Sequence, residues 1–322
     1  MSAPDAPVWL PPERAEAGLW GLLIGDAIGV PYEGHSPASL PPAETIDLLP
    51  PRGFARAHPG IPPGTWSDDG AQALALLDTL LASGGVDLDH FAGNLRAWLF
   101  EGRFAVNRAV FGIGRQTTSA INRLLAGVPP DQAGPASERD NGNGALMRVF
   151  PLLMRPWPSR LALAQAAIRQ AKITHGHPRA HAACALYCLW VAELCAPAPG
   201  DAWAQAEAFL RDPACSEALA LPRSEIEQVL DPAWRDRAGG SGYVVDTLWS
   251  ARIALEEGRD YAACVRRAIA FGHDTDTTAA VAGAAAGVRH GLQDVPIRWR
   301  EGLRGRGLVE GLLQRWRAPA GA

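Results

Sequence analysis

Two short acidic clusters, far apart in the chain, contain the residue types best suited to chemistry. They are TWSDDG at 65–70 and HDTDTT at 273–278, and each directly precedes an apolar run with helical spacing. One such cluster would be interpreted as a helix N-cap, because Ser, Thr and Asp are preferred there and carboxylates favour the positive end of the helix dipole. A cap needs only one side chain, whereas each cluster has two carboxylates and a hydroxyl. Crowding like charges is costly unless a cation neutralises them.

The two clusters together predict a site for hard metal ions. Four carboxylates and two hydroxyls form an all-oxygen donor set, which suits Mg²⁺ or Mn²⁺ rather than zinc or copper. If the two helix N-termini meet in the fold, the set could hold two metals roughly 3.5–4 Å apart, which would orient a diol and activate water. Capping of two separate helices stays open as the alternative on these residues alone.

Three glycine-rich segments are candidates for binding phosphate. They are GDAIGVPYE at 25–33, FGIGRQTT at 111–118 and NGNGALMR at 141–148, and each is predicted to lie at a helix start. Glycine lets a backbone approach a ligand closely, and the free N–H groups of a helix start suit a phosphate. No strand precedes the GIG triplet and there is no GxxxxGKS/T motif, so Rossmann and P-loop sites are excluded.

Three histidines, His175, His177 and His181, follow an HxHxxxH pattern. His177 and His181 have the one-turn spacing of zinc ligands, but no Asp, Glu or Cys nearby in the sequence completes a site. Pro178 suggests a helix start, so substrate contact or helix capping is favoured over zinc. Four other histidines, at positions 35, 58, 90 and 290, belong to no cluster and are predicted to be surface residues.

The elements that must position these residues are helices. Apolar residues recur with period 3.6 along most of the chain and period-two alternation is nearly absent, which predicts an all-α fold. We expect a single compact domain, residues 1–322 with its core at about 15–313, of about a dozen helices around a binuclear metal cleft. Helices are predicted over 15–28, 68–81, 90–100, 114–125, 145–154, 161–173, 179–194, 243–255, 261–271 and 277–290, with two shorter ones near Trp299 and Leu312.

The segments between the predicted helices include long loops. Loops are predicted over 36–64, 127–144, 196–201 and 232–242, and loops of this length in a compact domain tend to be functional or mobile. The run AAVAGAAAGV at 279–288 is instead predicted to be a helix that packs closely against another, because it has no bulky side chains.

The composition is that of an ordinary globular protein. The 322 residues are 48% hydrophobic and 20% charged, which excludes a mostly disordered chain. The net charge of −4 argues against a nucleic-acid or anionic-membrane partner. There is neither an apolar run of about 18 residues for a membrane helix nor a basic start followed by an apolar core for a secretory signal. The five cysteines have no framework spacing and are interpreted as reduced thiols of a cytoplasmic protein.

Six segments, taken in their order along the chain, resemble the sequence blocks of the ADP-ribosylglycohydrolase family. They are GDAIGVPYEG, WSDDG, GNGALMR, THGHP, GYVVDTL and HDTDTTAAVAGAAAG, and the resemblance runs from about residue 15 to residue 313. The family includes dinitrogenase reductase-activating glycohydrolases and hydrolases of ADP-ribosylarginine and ADP-ribosylserine. It implies an all-α fold with two Mg²⁺ or Mn²⁺ ions at the floor of an ADP-ribose cleft.

The resemblance also implies roles for individual residues. The positions that match the family's metal ligands are Ser67, Asp68, Asp69, Asp274, Asp276 and Thr277. Those that match its substrate-binding residues are Gly112, Gly114 and Thr117 in one diphosphate loop, Asn141, Gly142, Asn143 and Gly144 in a second, His175 near the phosphates and Tyr243 on the nucleoside side. Glu33 matches a glutamate over the distal ribose. Two positions depart from the family pattern: Gly70 replaces a threonine, and His273 replaces a small or amide residue.

The expected activity is a metal-dependent hydrolysis at C1 of the distal ribose, with an oxocarbenium-like transition state. Glu33 or a metal-binding aspartate such as Asp69 would accept or relay the proton. The expected substrate is ADP-ribosyl-arginine on a protein, because that is the family's commonest bacterial role, and the enzyme is expected to be a monomer. The alternatives are small-molecule, serine-, O-acetyl- or nucleobase-linked ADP-ribose conjugates, a two-metal phosphoesterase that cuts the diphosphate, or a non-catalytic ADP-ribose-binding module.

Overall fold

The computed structural model describes residues 7–195 and 201–318. Two features predicted above therefore lie partly or mostly outside the described residues: the N-terminal segment without a signal, and the loop at 196–201. Within the described ranges the fold is all helical, as predicted, and its only β-type pairings are isolated bridges between Val8 and Trp157 and between Gly142 and Tyr243.

The described ranges form fifteen α-helices. They are α1 (Pro12–Gly29), α2 (Asp68–Ser83), α3 (Leu88–Glu101), α4 (Arg115–Leu125), α5 (Arg160–Lys172), α6 (Pro178–Glu193), α7 (Ala202–Arg211), α8 (Pro213–Ala218), α9 (Arg223–Leu230), α10 (Trp234–Arg237), α11 (Val244–Glu257), α12 (Tyr261–Ile269), α13 (Thr275–His290), α14 (Ile297–Gly302) and α15 (Arg306–Arg317). Short 3₁₀ helices lie at Val30–Tyr32, Pro37–Ser39, Ala43–Thr45, Val106–Arg108, Pro130–Gln132, Phe150–Met154 and Leu292–Asp294.

Helices α1 and α13 pack against each other at the centre of the domain. A Cβ added at Gly25 would lie 2.1 Å from the carbonyl oxygen of Ala279, and one added at Gly287 would lie 2.2 Å from that of Ala17. The two helices therefore run antiparallel in backbone contact, as the small residues of AAVAGAAAGV predict. The segment GDAIG at 25–29 was expected at a helix start, which is wrong: it is the C-terminal end of α1, where its glycines admit α13.

The antiparallel pairing brings three helix ends together. At the end of α1, the carbonyl oxygen of Gly29 accepts a hydrogen bond from Thr275 Oγ1 at 2.8 Å, at the start of α13. On the same end of α1, Asp26 accepts hydrogen bonds from the backbone N–H groups of Ser67 at 2.9 Å and Gly70 at 2.8 Å, at the start of α2. The N-termini of α2 and α13 therefore meet, which was the condition for joining the two acidic clusters.

Two stretches differ from the predicted elements. The helix expected over 145–154 is a series of turns followed by the 3₁₀ helix Phe150–Met154. Pro151 has no N–H to donate, which disfavours α-helix there. Residues 202–237 contain four short helices that were not predicted, and the last of them, α10, lies inside the loop expected over 232–242. Asp201 and Asp212 cap α7 and α8 with their side chains, a start signal that was visible in the sequence.

One hydrophobic core serves the whole described chain. Its buried residues form a single cluster from Leu10 to Leu313 and include Cys184, Cys188 and Cys264. No described cysteine forms a disulfide. Among the described residues, no helix combines the length and apolar character that crossing a membrane requires.

Candidate active site

A cleft of about 1140 Å³ opens over the three converging helix ends. Nearly every residue predicted for the site lines it. These are Glu33, Asp68, Asp69, Gly112, Gly114, Thr117, Asn141, Gly142, Asn143, Gly144, His175, Tyr243, Asp274, Asp276 and Thr277. Ser67 is not among the lining residues, because it is buried beneath them and its hydroxyl donates to Asp69 Oδ2 at 3.1 Å.

The acidic clusters form one buried group of carboxylates at the floor of the cleft. Asp69 is 1% exposed, Asp276 3% and Asp68 5%, while Asp274 is half-buried. Burial raises the pKa of Asp68, Asp69 and Asp276 well above the usual range for an aspartate, and the negative charges of neighbouring carboxylates raise each pKa further. These carboxylates repel one another in the absence of a cation.

Capping does not account for these carboxylates. The side chain that caps α2 is Ser67, whose Oγ accepts a hydrogen bond from the N–H of Asp69 at 3.3 Å. Asp274 occupies the N-cap position of α13, but its side chain accepts no capping hydrogen bond. Oδ1 of Asp69 is buried and has no hydrogen-bond partner in the described chain. Unpaired, crowded carboxylate oxygens fit a hard divalent cation.

Asp26 is a site residue that the sequence interpretation missed. It is fully buried at the end of α1 and holds the WSDDG turn through the backbone of Ser67 and Gly70. Burial raises its pKa to about 7, although these hydrogen bonds oppose the shift. The sequence signal that could have identified Asp26 was a single carboxylate within the apolar run toward the C-terminal end of α1.

The two departures from the family pattern fit their positions in the structure. A Cβ at Gly70 would lie 2.8 Å from Leu23 Cδ2 and 2.8 Å from the ring of Trp66, so a side chain there would require these neighbours to shift. His273 has a left-handed backbone with φ of +58°, a conformation in which Asn, Asp and His are enriched among residues other than glycine. Its N–H donates to the carbonyl oxygen of His35 at 2.7 Å, and its own carbonyl oxygen accepts from Gly34 at 2.6 Å.

The glycine loop at 112–117 leads directly from the carboxylates into α4. Gly112 has φ of +82°, and a Cβ there would lie 2.4 Å from Asp68 Oδ1. Gly114 is the N-cap residue of α4 and no side chain caps the helix. The N–H groups of the first turn are therefore available to an anion in the cleft.

The loop at 141–144 is braced by hydrogen bonds. The N–H of Gly142 donates to Gln116 Oε1 at 2.7 Å, and that of Asn143 donates to the carbonyl oxygen of Gly242 at 3.1 Å. Asn143 Nδ2 donates to Asp274 Oδ2 at 2.8 Å. The N–H groups of Gly142 and Asn143 are thus already bonded within the protein. The side chain of Asn143 orients the carboxylate of Asp274 on the floor of the cleft.

A buried arginine lies behind the floor of the cleft. Arg148 is fully buried and donates to Gln72 Oε1 and Thr174 Oγ1, both at 2.7 Å. Gln72 in turn donates to Asp68 Oδ2 at 3.2 Å, and Thr174 Oγ1 lies 2.7 Å from Nδ1 of His175. Burial lowers the pKa of Arg148 to about 9, so it remains a cation at pH 7. Burial and this cation hold the pKa of His175 well below its usual range, so His175 is neutral.

Tyr243 also lines the cleft. Its ring packs against Trp234 with centroids 5.5 Å apart, and its hydroxyl accepts a hydrogen bond from Arg179 at 3.2 Å. Arg179 also forms ion pairs with Glu138 at 2.7 Å and Glu225 at 2.8 Å. These contacts fix the face that Tyr243 presents to a ligand.

The two histidines with zinc-like spacing have other partners. His177 caps α6 through Nδ1, as capping predicted, and His181 Nε2 lies 2.8 Å from the carbonyl oxygen of His175. Two glutamates distant in the sequence do approach His177, because ligand atoms of Glu138, His177 and Glu225 lie within 4.8 Å of one another. The guanidinium of Arg179 already pairs with both glutamates, which makes this group a poor metal site.

His58 was predicted to be an isolated surface residue, and the structure corrects this. Its Nε2 lies 2.5 Å from Oε2 of Glu33, the glutamate predicted to act on the substrate. Both side chains are about 30% exposed, His58 at 30% and Glu33 at 31%. The two residues are 25 positions apart with a long loop between them, so their spacing contained no signal of the contact.

Comparison with known proteins gives consistent matches over nearly the whole chain. A family model described as ADP-ribosylglycohydrolase matches residues 10–320. An ADP-ribosylarginine hydrolase of Pseudomonas putida (strain GB-1) is 30% identical over 295 residues, which is 90% of this chain and 74% of that protein. An ADP-ribosyl-dinitrogen reductase glycohydrolase of Rhodospirillum rubrum is 27% identical over 89% of each chain. A solved structure described as an ADP-ribosylglycohydrolase-related protein complex is 30% identical, with a TM-score of 0.75 over 95% of this chain and 97% of that one.

Proposed function

The chain belongs to the ADP-ribosylglycohydrolase family and is thus a glycohydrolase of ADP-ribosyl conjugates; we propose that its substrate is ADP-ribosyl-arginine on a protein. The P. putida relative is named for hydrolysis of ADP-ribosylarginine, and the R. rubrum relative for an ADP-ribosylated dinitrogen reductase. Both names support an ADP-ribosylated protein as the substrate, and the first supports arginine as the acceptor.

The contact between Gly112 and Asp68 is the main support for the proposal that the cleft binds ADP-ribose. Gly112 presses against Asp68 so closely that a methyl group would not fit between them. The open helix start that suits a diphosphate is therefore adjacent to the carboxylates that suit a ribose diol with its metals. ADP-ribose has the same order of groups, because its diphosphate is attached directly to the distal ribose. Tyr243 lies further along the cleft, where its ring can contact the adenosine.

We propose that the floor holds two Mg²⁺ or Mn²⁺ ions. Their ligands would be Asp68, Asp69, Asp274 and Asp276, with the hydroxyls of Ser67 and Thr277. The unpartnered Asp69 Oδ1 and the mutual repulsion of the carboxylates support this set. When bound, such ions act as Lewis acids toward sugar hydroxyls and make water more acidic.

The protein side chains would then act around the bond between C1 and the arginine nitrogen. The first turn of α4 would hold the diphosphate, and the floor would fix the ribose, so that C1 faces Glu33. As the C1–N bond breaks and the water oxygen bonds to C1, Glu33 would accept a proton from that water and pass it to the departing guanidine nitrogen. Asp69 is the alternative proton acceptor, but its buried position beneath the ribose is better suited to metal binding.

A product assay tests this proposal. The protein is incubated with ADP-ribosylated arginine, serine and nucleobase substrates, with and without Mn²⁺, and products are separated by chromatography. We expect free ADP-ribose from the arginine substrate only when Mn²⁺ or Mg²⁺ is present, and a rate lower by about a hundredfold or more from the Asp69→Asn variant. Cleavage of only the serine or nucleobase substrate would refute the arginine assignment. AMP with ribose phosphate would instead indicate a phosphoesterase, and binding without turnover a non-catalytic module.

A further inference from the structure

We propose that His58 is a positioning residue, which holds the carboxylate of Glu33 over the ribose end of the cleft. This inference rests on the role given to Glu33 under the proposed function. Its basis is the 2.5 Å contact between His58 Nε2 and Glu33 Oε2, at the mouth of the cleft that Glu33 lines. For this contact to be a hydrogen bond to a carboxylate, Nε2 must carry the proton.

The backbone places His58 at an energetic cost. His58 has a left-handed conformation with φ of +50°, in which a residue other than glycine is strained. The neighbouring N–H of Ala57 donates to the carbonyl oxygen of Pro31 at 2.9 Å, which ties the loop to the segment that precedes Glu33. The carbonyl oxygen of His58 accepts from Ile61 at 2.8 Å. Local hydrogen bonds thus hold His58 in a strained backbone conformation from which its ring reaches Glu33.

The ring of His58 has a second contact that fixes its direction. It packs against the ring of Phe111, with centroids 5.1 Å apart at an angle of 53°. Phe111 directly precedes Gly112 in the loop that leads to α4. His58 therefore lies between the glutamate on one side of the cleft and the proposed diphosphate loop on the other.

Glu33 needs such a partner because it lies outside the helices of the site. It is partly exposed, and it follows a single 3₁₀ turn rather than lying inside a helix. A donor that is itself braced by an aromatic ring restricts the directions that this carboxylate can take.

A double-mutant cycle tests the proposal. In His58→Asn the backbone conformation is retained, because Asn tolerates positive φ, but the side chain is too short to reach Glu33. In His58→Phe the ring contact with Phe111 is retained and the donor is lost. His58→Gln restores an N–H donor on a longer side chain. Each variant is combined with Glu33→Gln, and kcat, KM and the calorimetric Kd for ADP-ribose are measured at saturating Mn²⁺.

We expect His58→Asn and His58→Phe to lower kcat by about tenfold or more, part of the effect of a misplaced general base. The KM and the Kd for ADP-ribose should stay within about twofold of wild type, and His58→Gln should recover part of the lost kcat. In the Glu33→Gln background, the same changes at His58 should have no further effect. His90→Phe is the control, because His90 is partly buried but contacts Thr79 and Asn94, far from the cleft.

The outcomes separate this inference from the proposed function. Equal losses from His58→Asn in the wild-type and Glu33→Gln backgrounds would overturn it, because His58 would then act without Glu33. A slow Glu33→Gln enzyme together with fully active His58→Asn and His58→Phe enzymes would overturn the inference alone. A fully active Glu33→Gln enzyme would overturn the role of Glu33 and the inference with it.

Discussion

At the scale of single residues, replacing an aspartate on the floor of the cleft by asparagine distinguishes a metal ligand from a helix cap. Asn caps a helix as well as Asp does, but it removes a negative charge from a metal site. Since Asp69 and Asp276 repel their neighbours when no cation is present, replacing either one should not weaken the metal-free fold.

We therefore predict that Asp69→Asn and Asp276→Asn melt within a few degrees of wild type in EDTA, or higher. Turnover at limiting Mn²⁺ should fall by about a hundredfold or more, the scale of losing one positioned catalytic interaction. Scanning calorimetry and steady-state kinetics on the same preparations measure both quantities. Near-normal turnover of both variants would contradict a metal-binding role for Asp69 and Asp276.

A second prediction concerns Asp26 and the pH dependence of the free energy of unfolding. Burial raises its pKa from 3.8 to about 7, so the folded state holds a proton that the unfolded state releases. The resulting stabilisation is fully present below about pH 3.8 and is lost as the pH rises through about 7. Between pH 5 and 6.5 this one proton should lower the free energy of unfolding by about 1.4 kcal/mol per pH unit. Asp68, Asp69 and Asp276 add to the effect in the same direction.

Urea unfolding of wild type and Asp26→Asn in EDTA, at several values between pH 5 and 6.5, measures this contribution. The wild-type free energy of unfolding should fall more steeply with rising pH than that of the variant. Parallel slopes would mean that Asp26 is already ionised in the folded protein across this range.

The site residues that could be predicted from the sequence are those that stand next to one another in it. Other oxygen donors lie beside each of Asp68, Asp69, Asp274 and Asp276 in the sequence, so a metal-binding role could be proposed before their contact was known. Asp26 acts on the backbone N–H groups of Ser67 and Gly70, 41 and 44 positions away, and His58 acts on Glu33, 25 positions away. No spacing rule covers such pairs, because only the folded chain brings them together.

At the scale of elements, the antiparallel contact of α1 with α13 determines where the site forms. We predict that Gly25→Ala lowers the free energy of unfolding by about 1–3 kcal/mol, because its Cβ would lie 2.1 Å from the carbonyl oxygen of Ala279. Forcing the helices apart would also shift Asp26, one residue further along α1, and weaken Mn²⁺ binding in calorimetry.

Gly93→Ala is the matched control for this substitution. Gly93 lies inside α3, is exposed, and has open space where its Cβ would go. Alanine there should stabilise the protein by up to about 1 kcal/mol, the difference in helix propensity. If Gly25→Ala were as harmless as Gly93→Ala, the two central helices would not be in the close contact described above.

Long helices with a steady apolar period, such as α2, α6 and α13, could be predicted to within a few residues. The short helices α7 to α10 could not, because four to ten residues contain too few turns for a period to be visible. The stretch at 145–154 has apolar residues in helical spacing but forms turns and a 3₁₀ helix, because Pro151 disfavours an α-helix there.

At the scale of the whole molecule, metal binding should stabilise the fold as well as support turnover. The ions would bind where ends of α1, α2 and α13 meet, a place that exists only in the folded chain. We predict that Mn²⁺ at a hundred times its Kd adds about 2.7 kcal/mol to the free energy of unfolding for each ion bound. EDTA should abolish turnover, and zinc alone should not restore it, because the donors are all oxygen.

Thermal melts and activity assays across a Mn²⁺ titration measure both effects. A melting temperature that is independent of Mn²⁺, or full activity after exhaustive chelation, would contradict the prediction. The single-domain boundaries 1–322, the monomeric state and the cytoplasmic location stay predictions.

The pairing of the first helix with the thirteenth has a consequence for the protein during its synthesis. Gly29 and Thr275 are bonded across 246 positions, so α1 leaves the ribosome long before its partner is made. At about 5–20 residues per second, the glycine-lined face of α1 waits roughly 12–50 s for α13. A chain that ends before Thr275 therefore has neither its central helix pair nor its complete floor of carboxylates. Catalytic activity requires translation to proceed through α13, at Thr275–His290.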